Sequence, residues 1–294
     1  MMTATFTPDK EVCIIIVTHN RPFILGELLR QIYNVMDNKY HVIVVNTGDE
    51  NLVESLKTFP EGSYMGVRFE NVSNIYWSAA VLWGMTICED FYPKCKYVVL
   101  LNDDLSFDSD FIQEMLVFAE PNRVLSPKIY DMDGNLWYNG GRINWLTGNV
   151  YHYTGIEYYP HPAWLTGMGL IIPVDIIHKY WGLDYSNFPM YLADTDYTMR
   201  LKFRGVELYQ TPVAIREKTL MSIQRQIRIS GSYNTWEILT DVRSSDNFKI
   251  RYRFYRRWWN VWFFVPMMVF YMKFFAKRIY RILKMDCRDI LRLD

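Results

Sequence analysis

No glycine-rich phosphate loop is present in the 294-residue sequence, neither GxGxxG nor the Walker pattern. That removes the usual device by which dehydrogenases and P-loop enzymes hold phosphates on a helix N-terminus. Internal repeats and low-complexity segments are also missing, which sets aside solenoids and disordered tracts. The four cysteines (Cys13, Cys88, Cys95, Cys287) and five histidines (His19, His41, His152, His161, His178) lack metal-ligand spacing. With no secretory signal at the N-terminus, the cysteines read as reduced thiols, and the expected location is cytoplasmic. No apolar run reaches the ~20 residues that an untilted membrane-spanning helix needs.

Net charge is also missing, and its absence hides an asymmetry. From Lys249 onward there are 12 Lys and Arg against 3 acids, while the rest of the chain holds 20 against 29. An acidic body with a basic tail gives the tail an anionic partner of its own, a membrane surface or a nucleic acid. The acidic body would repel nucleic acid, so the membrane surface is the expected partner. Trp258–Met272 is apolar except for Asn260 and is broken by Pro266. Lys273–Lys284 then alternates bulky apolar residues with Lys and Arg. A pair of basic, aromatic helices lying in the lipid interface is expected there, not a span. The alternative is that these aromatics pack on the rest of the protein. The expected division is 1–247 for the main domain and 248–294 for the tail.

What the sequence does have is a set of short buried strands ending in polar clusters. Val12–Thr18 is a β-branched run broken by His19-Asn20-Arg21-Pro22, and Phe23–Met36 has helical spacing. Val42–Val45 ends in Asn46-Thr47-Gly48-Asp49. A helix follows at Leu52–Phe59, then a short strand at Val67–Phe69. Asn74 is the expected cap of a helix running to Phe91. Tyr97–Leu101 stops at Asn102-Asp103-Asp104 and is followed by a helix capped at Asp108 or Ser109. Alternating strands and helices predict a Rossmann-like α/β fold with a mostly parallel sheet flanked by helices. Ligands in such sheets bind outside the carboxyl ends of the strands. Two adjacent carboxylates there repel each other unless a cation joins them, and Mg²⁺ or Mn²⁺ shared with substrate phosphates fits. Further on, β-ribbons are expected over 131–153, with a turn at Asp133-Gly134. Short elements follow in WLTGMGLIIP (164–173) and at Asp175–Trp181. A helix bearing Asp194 and Asp196 and a strand at Val206–Gln210 complete the set. Residues 216–247 carry no clear pattern.

Five stretches occur in one order: THNR, NTGDE, NVSNIYWSAAVLWGM before LLNDD, WLTGMGLIIP, and YLADTDYTMRLKFRG. Over about residues 12–215 this resembles the family 2 inverting glycosyltransferases of GT-A fold. That group contains many bacterial polysaccharide rhamnosyl-, galactosyl- and galactofuranosyltransferases. The resemblance implies that Thr18, Asn20, Arg21, Asn46 and Gly48 contact the nucleotide of a nucleotide-diphosphate sugar. It places Asn102-Asp103-Asp104 on the family's D-x-D motif, with Asp104 the first metal ligand, Asp103 the second, and Asn102 near ribose or metal-bound water. Leu165, Thr166 and Gly167 match a stretch lining the donor sugar and acceptor, and Trp164, like Trp137 and Trp145, is a candidate to face a sugar ring, although such a residue is more often in the core. Asp194 matches the base, although Ala193 stands where the family has Glu. Asp196 is a further substrate-site candidate, yet its i,i+4 spacing to Arg200 suits a helix-face ion pair. The family's metal-binding His is missing, and Glu217 lies in that neighbourhood. The implied acceptor is a lipid-linked or growing surface glycan, reached from the inner face of the cell membrane. The rivals are a sugar nucleotidyltransferase, for which VTHNRPF is a poor triphosphate loop, and a catalytically inactive glycan-binding or scaffold protein.

Overall fold

The computed structural model describes residues 11–36, 40–49, 52–56, 66–157, 159–217 and 235–290. The expectation of a helix continuing from 57 to 59 lies outside them. One sheet organises the molecule. β1 (Val12–Thr18), β2 (His41–Asn46), β3 (Val67–Asn71) and β4 (Tyr97–Asn102) are mutually parallel in the order β3-β2-β1-β4. All seven residues of β1 are buried, as a strand covered on both faces requires. α1 (Pro22–Met36) and α3 (Trp77–Phe91) supply the crossovers, and α2 (Leu52–Leu56) lies between β2 and β3. α3 packs Ala80, Val81, Gly84 and Met85 inward.

Beyond β4 the sheet becomes mixed. β5 (Leu105–Ser106), α4 (Phe111–Leu116) and β6 (Arg123–Tyr130) come next, then β7 (Leu136–Tyr138) and the hairpin β8 (Gly141–Asn144)–β9 (Asn149–His152). β10 (Leu170–Pro173) inserts antiparallel between β4 and β6. After α5 (Val174–Tyr180) and α6 (Ala193–Phe203), β11 (Glu207–Glu217) runs parallel to β6 and antiparallel to β5. Among the described residues the main sheet has four parallel and four antiparallel pairings, so the expected α/β sheet flanked by helices is present, parallel from β3 to β4 and mixed beyond. β10 arrives from the ribbon region, with no crossover helix to turn its direction.

Two caps also differ from expectation. α3 begins at Trp77 with Tyr76 as its cap, while Asn74 sits at φ 63° in the preceding turn. α4 begins at Phe111 behind Asp110, later than Asp108 or Ser109.

The C-terminal part contains α7 (Thr235–Thr240), α8 (Phe248–Trp259) and α9 (Phe264–Ile290). Asn247 caps α8 by accepting from the Ile250 amide at 3.0 Å. Ile250, Phe254 and Tyr255, at i, i+4 and i+5, are buried in the same hydrophobic core as β1 and β4. Each such side chain contributes roughly 1.5–3 kcal/mol by burial. Cutting the chain at 249 would strip that cover, so tests of the tail call for point substitutions.

Candidate active site

The carboxyl ends of β1, β2 and β4 face one another, and the polar clusters foreseen there meet. β1 and β4 pair with Val17 opposite Asn102, which carries Thr18 to Asp103. Thr18 Oγ1 donates to Asp103 Oδ2 at 2.5 Å. Arg21, just past β1, forms an ion pair with Asp103 and reaches Asp104 Oδ2 at 3.4 Å. Asp103 is 0% exposed. Burial pushes its carboxyl up to about 6, aided by the neighbouring Asp104 charge and opposed by Arg21 and Thr18. The two acids therefore differ in kind. Both oxygens of Asp103 are engaged by protein donors, and Asp104 stands nearer the surface.

Next to this pair, Asn46 knits the two strand-end loops. Its Oδ1 accepts from the Asn20 amide at 3.2 Å and the Gly48 amide at 3.1 Å. Asn20 adopts φ 49°, which Asn tolerates better than most residues. His19 Nδ1 lies 3.0 Å from Thr47 Oγ1.

Asp194 arrives from the other half of the chain. It sits in the first turn of α6, where the helix dipole favours a carboxylate. Its Oδ2 accepts from the Gly167 amide at 2.9 Å and its Oδ1 from the Thr195 amide at 2.7 Å. Leu165 is fixed one helical turn along, its amide donating to Thr198 Oγ1 at 3.0 Å. Residues two apart on an extended segment thus meet residues four apart on a helix. The Gly169 amide donates to Leu100 O at 2.9 Å, so this segment passes beside the end of β4. Burial raises the Asp194 carboxyl, while the Gly167 and Thr195 amides pull it back, and the balance stays upward. Thr166 is buried, and its amide donates to Tyr138 Oη at 3.2 Å.

The other candidates fall elsewhere. Trp164 is 3% exposed and lies flat over Gly141, in the core with Tyr138 and His152, so it presents no free ring to a sugar. Asp196 is fully buried and accepts from Arg200 Nε at 2.9 Å, Arg257 Nη1 at 2.7 Å and Trp258 Nε1 at 3.1 Å. Glu217 ends β11 opposite Leu105, the residue after Asp104, so the sheet brings it to the acid pair's strand end. Among the described residues no three His, Cys, Asp or Glu side chains gather into a metal-holding cluster. The donor set suits a hard divalent cation held by Asp104 and shared with a diphosphate, since such ions need only one or two carboxylates beside phosphate oxygens.

Three neighbours escape a reading of the sequence. Tyr138 is identifiable only once its hydroxyl is seen under Thr166. Arg257 lies 61 residues from the Asp196 it holds. Trp77 shows its role through Gly167: a Cβ there would meet the Trp77 ring at 2.6 Å and 2.8 Å. Gly167→Ala is expected to cost about 1–3 kcal/mol through overpacking and to slow any reaction that uses Asp194. A thermal melt and turnover at saturating substrate check both effects.

Comparison with known proteins agrees with this fold. Glycosyl transferase family 2 matches residues 13–170, more than half of the chain. A crystal structure of GalNAc-T7 with UDP, GalNAc and Mn²⁺ superposes with a TM-score of 0.56 at 11% identity, covering 70% of this chain and 43% of that one. The mannosyltransferase PcManGT from Pyrobaculum calidifontis, in complex with GDP-Man and Mn²⁺, gives 0.52 at 14% identity, covering 83% and 62%. This chain therefore spans less than two thirds of either protein. No curated protein matches the sequence. The fold is that of the GT-A glycosyltransferases, and the chain belongs to glycosyl transferase family 2.

Proposed function

We propose that the protein is an inverting glycosyltransferase that moves a sugar from a nucleotide-diphosphate donor to a hydroxyl of a lipid-linked or growing surface glycan. The observation that carries the reading is the meeting of Asp194, through Gly167, with the strand end bearing Asp103 and Asp104. Asp194 is a half-buried carboxylate with a raised pKa, poised to take a proton from an acceptor hydroxyl. The acceptor oxygen then bonds to the anomeric carbon on the face opposite the nucleotide. The carbon–oxygen bond to the diphosphate breaks, and its electron pair stays on the departing phosphate. Attack opposite the leaving group inverts the anomeric centre.

Asp104 would hold a divalent cation, Mn²⁺ or Mg²⁺, with Asp103 behind it and Glu217 as the third candidate. When bound, such an ion neutralises charge developing on the departing diphosphate. Arg21 supplies a fixed positive charge beside the acids. Thr18, Asn20, Asn46, Gly48 and Asn102 line the strand ends where the nucleotide is proposed to lie, and Thr166 and Gly167 the sugar side. Asp196 is better read as the joint between α6 and the tail. The tail is proposed to lie on the inner face of the cell membrane, next to a lipid-linked acceptor.

The test is incubation of the full chain with UDP-, GDP- and dTDP-sugars and Mn²⁺. Release of nucleoside diphosphate, with a product anomer opposite to the donor's, is expected. Pyrophosphate formed from a nucleoside triphosphate and a sugar 1-phosphate would favour a nucleotidyltransferase instead. Tight donor binding without turnover would favour an inactive glycan-binding protein.

A further inference from the structure

The tail's exposed apolar residues form part of a larger surface. Along α9, Phe264, Met268, Met272, Phe275 and Ile279 are exposed at spacings of four, four, three and four, one face of the helix. The turn before it, Asn260–Trp262, adds exposed Val261 and Trp262, the latter 66% exposed. No helix among the described residues is long and apolar enough to cross a membrane.

The main domain adds exposed apolar residues beside the elbow. Trp145 and Leu146 form the tip of the β8–β9 hairpin, with Leu146 81% exposed, and Phe203 at the end of α6 is 70% exposed. Ring contacts join them to the elbow between α8 and α9. Trp145 lies 5.0 Å from Trp259 and 6.4 Å from Phe203, and Phe203 lies 5.1 Å from Trp258. The hairpin is seated on α9 as well. Gly148, at φ 67°, faces Pro266 so closely that a Cβ would stand 1.9 Å from the proline ring. An apolar exposure of this extent on a soluble face marks an interaction site.

Charge identifies the occupant. Residues 248–284 carry ten Lys and Arg and no acid. Several of these cations serve the fold: Arg257 holds Asp184 and Asp196, Arg251 binds Ser245 O, and Arg253 binds Ser186 O. Lys249, Lys273 and Lys277 remain exposed, and among the described residues they make no ion pair. A tail segment without acids, with an outer apolar stripe, exposed lysines and aromatic rings at its elbow, suits an anionic lipid surface. A second copy of the chain would bring like charge against like charge.

We infer that the hairpin tip (Trp145, Leu146), Phe203, the elbow (Val261, Trp262) and the outer stripe of α9 form one composite face that docks on an anionic bilayer. The inference rests on the reading of the tail as membrane-lying and extends that contact to the catalytic domain. Because Phe203 ends the helix whose first turn holds Asp194, docking would fix the orientation of that helix to the lipid surface.

The test is co-sedimentation of the full chain with phosphatidylglycerol–phosphatidylcholine vesicles and with phosphatidylcholine alone. Leu146→Glu combined with Phe203→Glu, both outside the tail, is compared with Trp262→Glu combined with Phe264→Glu, and circular dichroism checks folding. Each pair is expected to weaken binding to the anionic vesicles at least ~10-fold. Vesicles of phosphatidylcholine alone are expected to bind the unaltered chain weakly. Loss in the tail pair only would overturn the composite face and leave the tail reading standing. Unchanged binding in both pairs would overturn both. A shift from dimer to monomer on light scattering, with vesicle binding unchanged, would assign the face to self-association and overturn the inference. The assay reads no sugar transfer, so its result is independent of the catalytic proposal.

Discussion

Asp194→Asn is expected to leave donor affinity nearly intact and to lower sugar transfer by at least ~10²-fold, the low end for losing a positioned general base. The substitution conserves shape, and one amide oxygen can still accept from the Gly167 or Thr195 amide. What it removes is the site proposed to receive the acceptor's proton. Donor binding is read by calorimetry and transfer by single-turnover kinetics. Asp196→Asn serves as the contrast, because Asp196 faces Arg200, Arg257 and Trp258. Weakening a buried carboxylate between two guanidinium groups costs stability first, so a lowered melting temperature with donor chemistry preserved is expected. Wild-type turnover in Asp194→Asn, beside an inactive but folded Asp196→Asn, would move the base to Asp196.

The pH profile adds a second reading of the same group. Burial raises the Asp194 carboxyl above the ordinary aspartate range. A base must be deprotonated to act, so the acid limb of kcat/KM is expected to fall at a higher pH than an exposed aspartate would give. Asp194→Asn should flatten that limb in whatever activity remains.

Much of the site was legible because it depends on strand ends. A β-branched run such as Val12–Thr18 reports its own burial, and the polar residues that stop it must lie at the sheet's edge. Three such ends, THNR, NTGD and NDD, were enough to gather Thr18, Arg21, Asn46, Asp103 and Asp104. Asp194 was put forward by its likeness to a family motif, since a carboxylate in a first helical turn is common and says little alone. The reversal of β10 was not legible. Leu170–Pro173 is as apolar as β4, and a buried strand looks the same in either direction. Trp164 stayed open for a related reason: an aromatic ring is at home on a sugar or in a core, and its seat over Gly141 puts it in the core. The tail posed both questions at once. Its helical period is clear, yet each helix has an inner and an outer face. Ile250, Phe254 and Tyr255 turn into the core while Trp262 and Met268 do not, and only packing separates the two sets.

Asp104→Ala is expected to abolish measurable transfer and to weaken nucleotide binding in the presence of Mn²⁺, with little effect on binding in its absence. The argument rests on how the two acids are used. Asp103 is enclosed, its oxygens taken by Thr18 and Arg21, so removing it would leave the Arg21 charge and the Thr18 hydroxyl without their partner and disturb the end of β1. Asp104 contacts Arg21 at 3.4 Å, a weaker hold, and its side chain keeps a little solvent access. It is the acid nearer the surface, and the one proposed to meet a cation. Its loss should therefore leave the melting temperature near that of the parent protein, whereas Asp103→Ala should lower it. Calorimetric titration of nucleoside diphosphate with Mn²⁺ and with EDTA separates the terms. Equal affinity of parent and Asp104→Ala with Mn²⁺ present would count against Asp104 as the metal ligand. A Glu217→Gln variant that behaved as expected of Asp104→Ala would shift that role across the β5–β11 pairing.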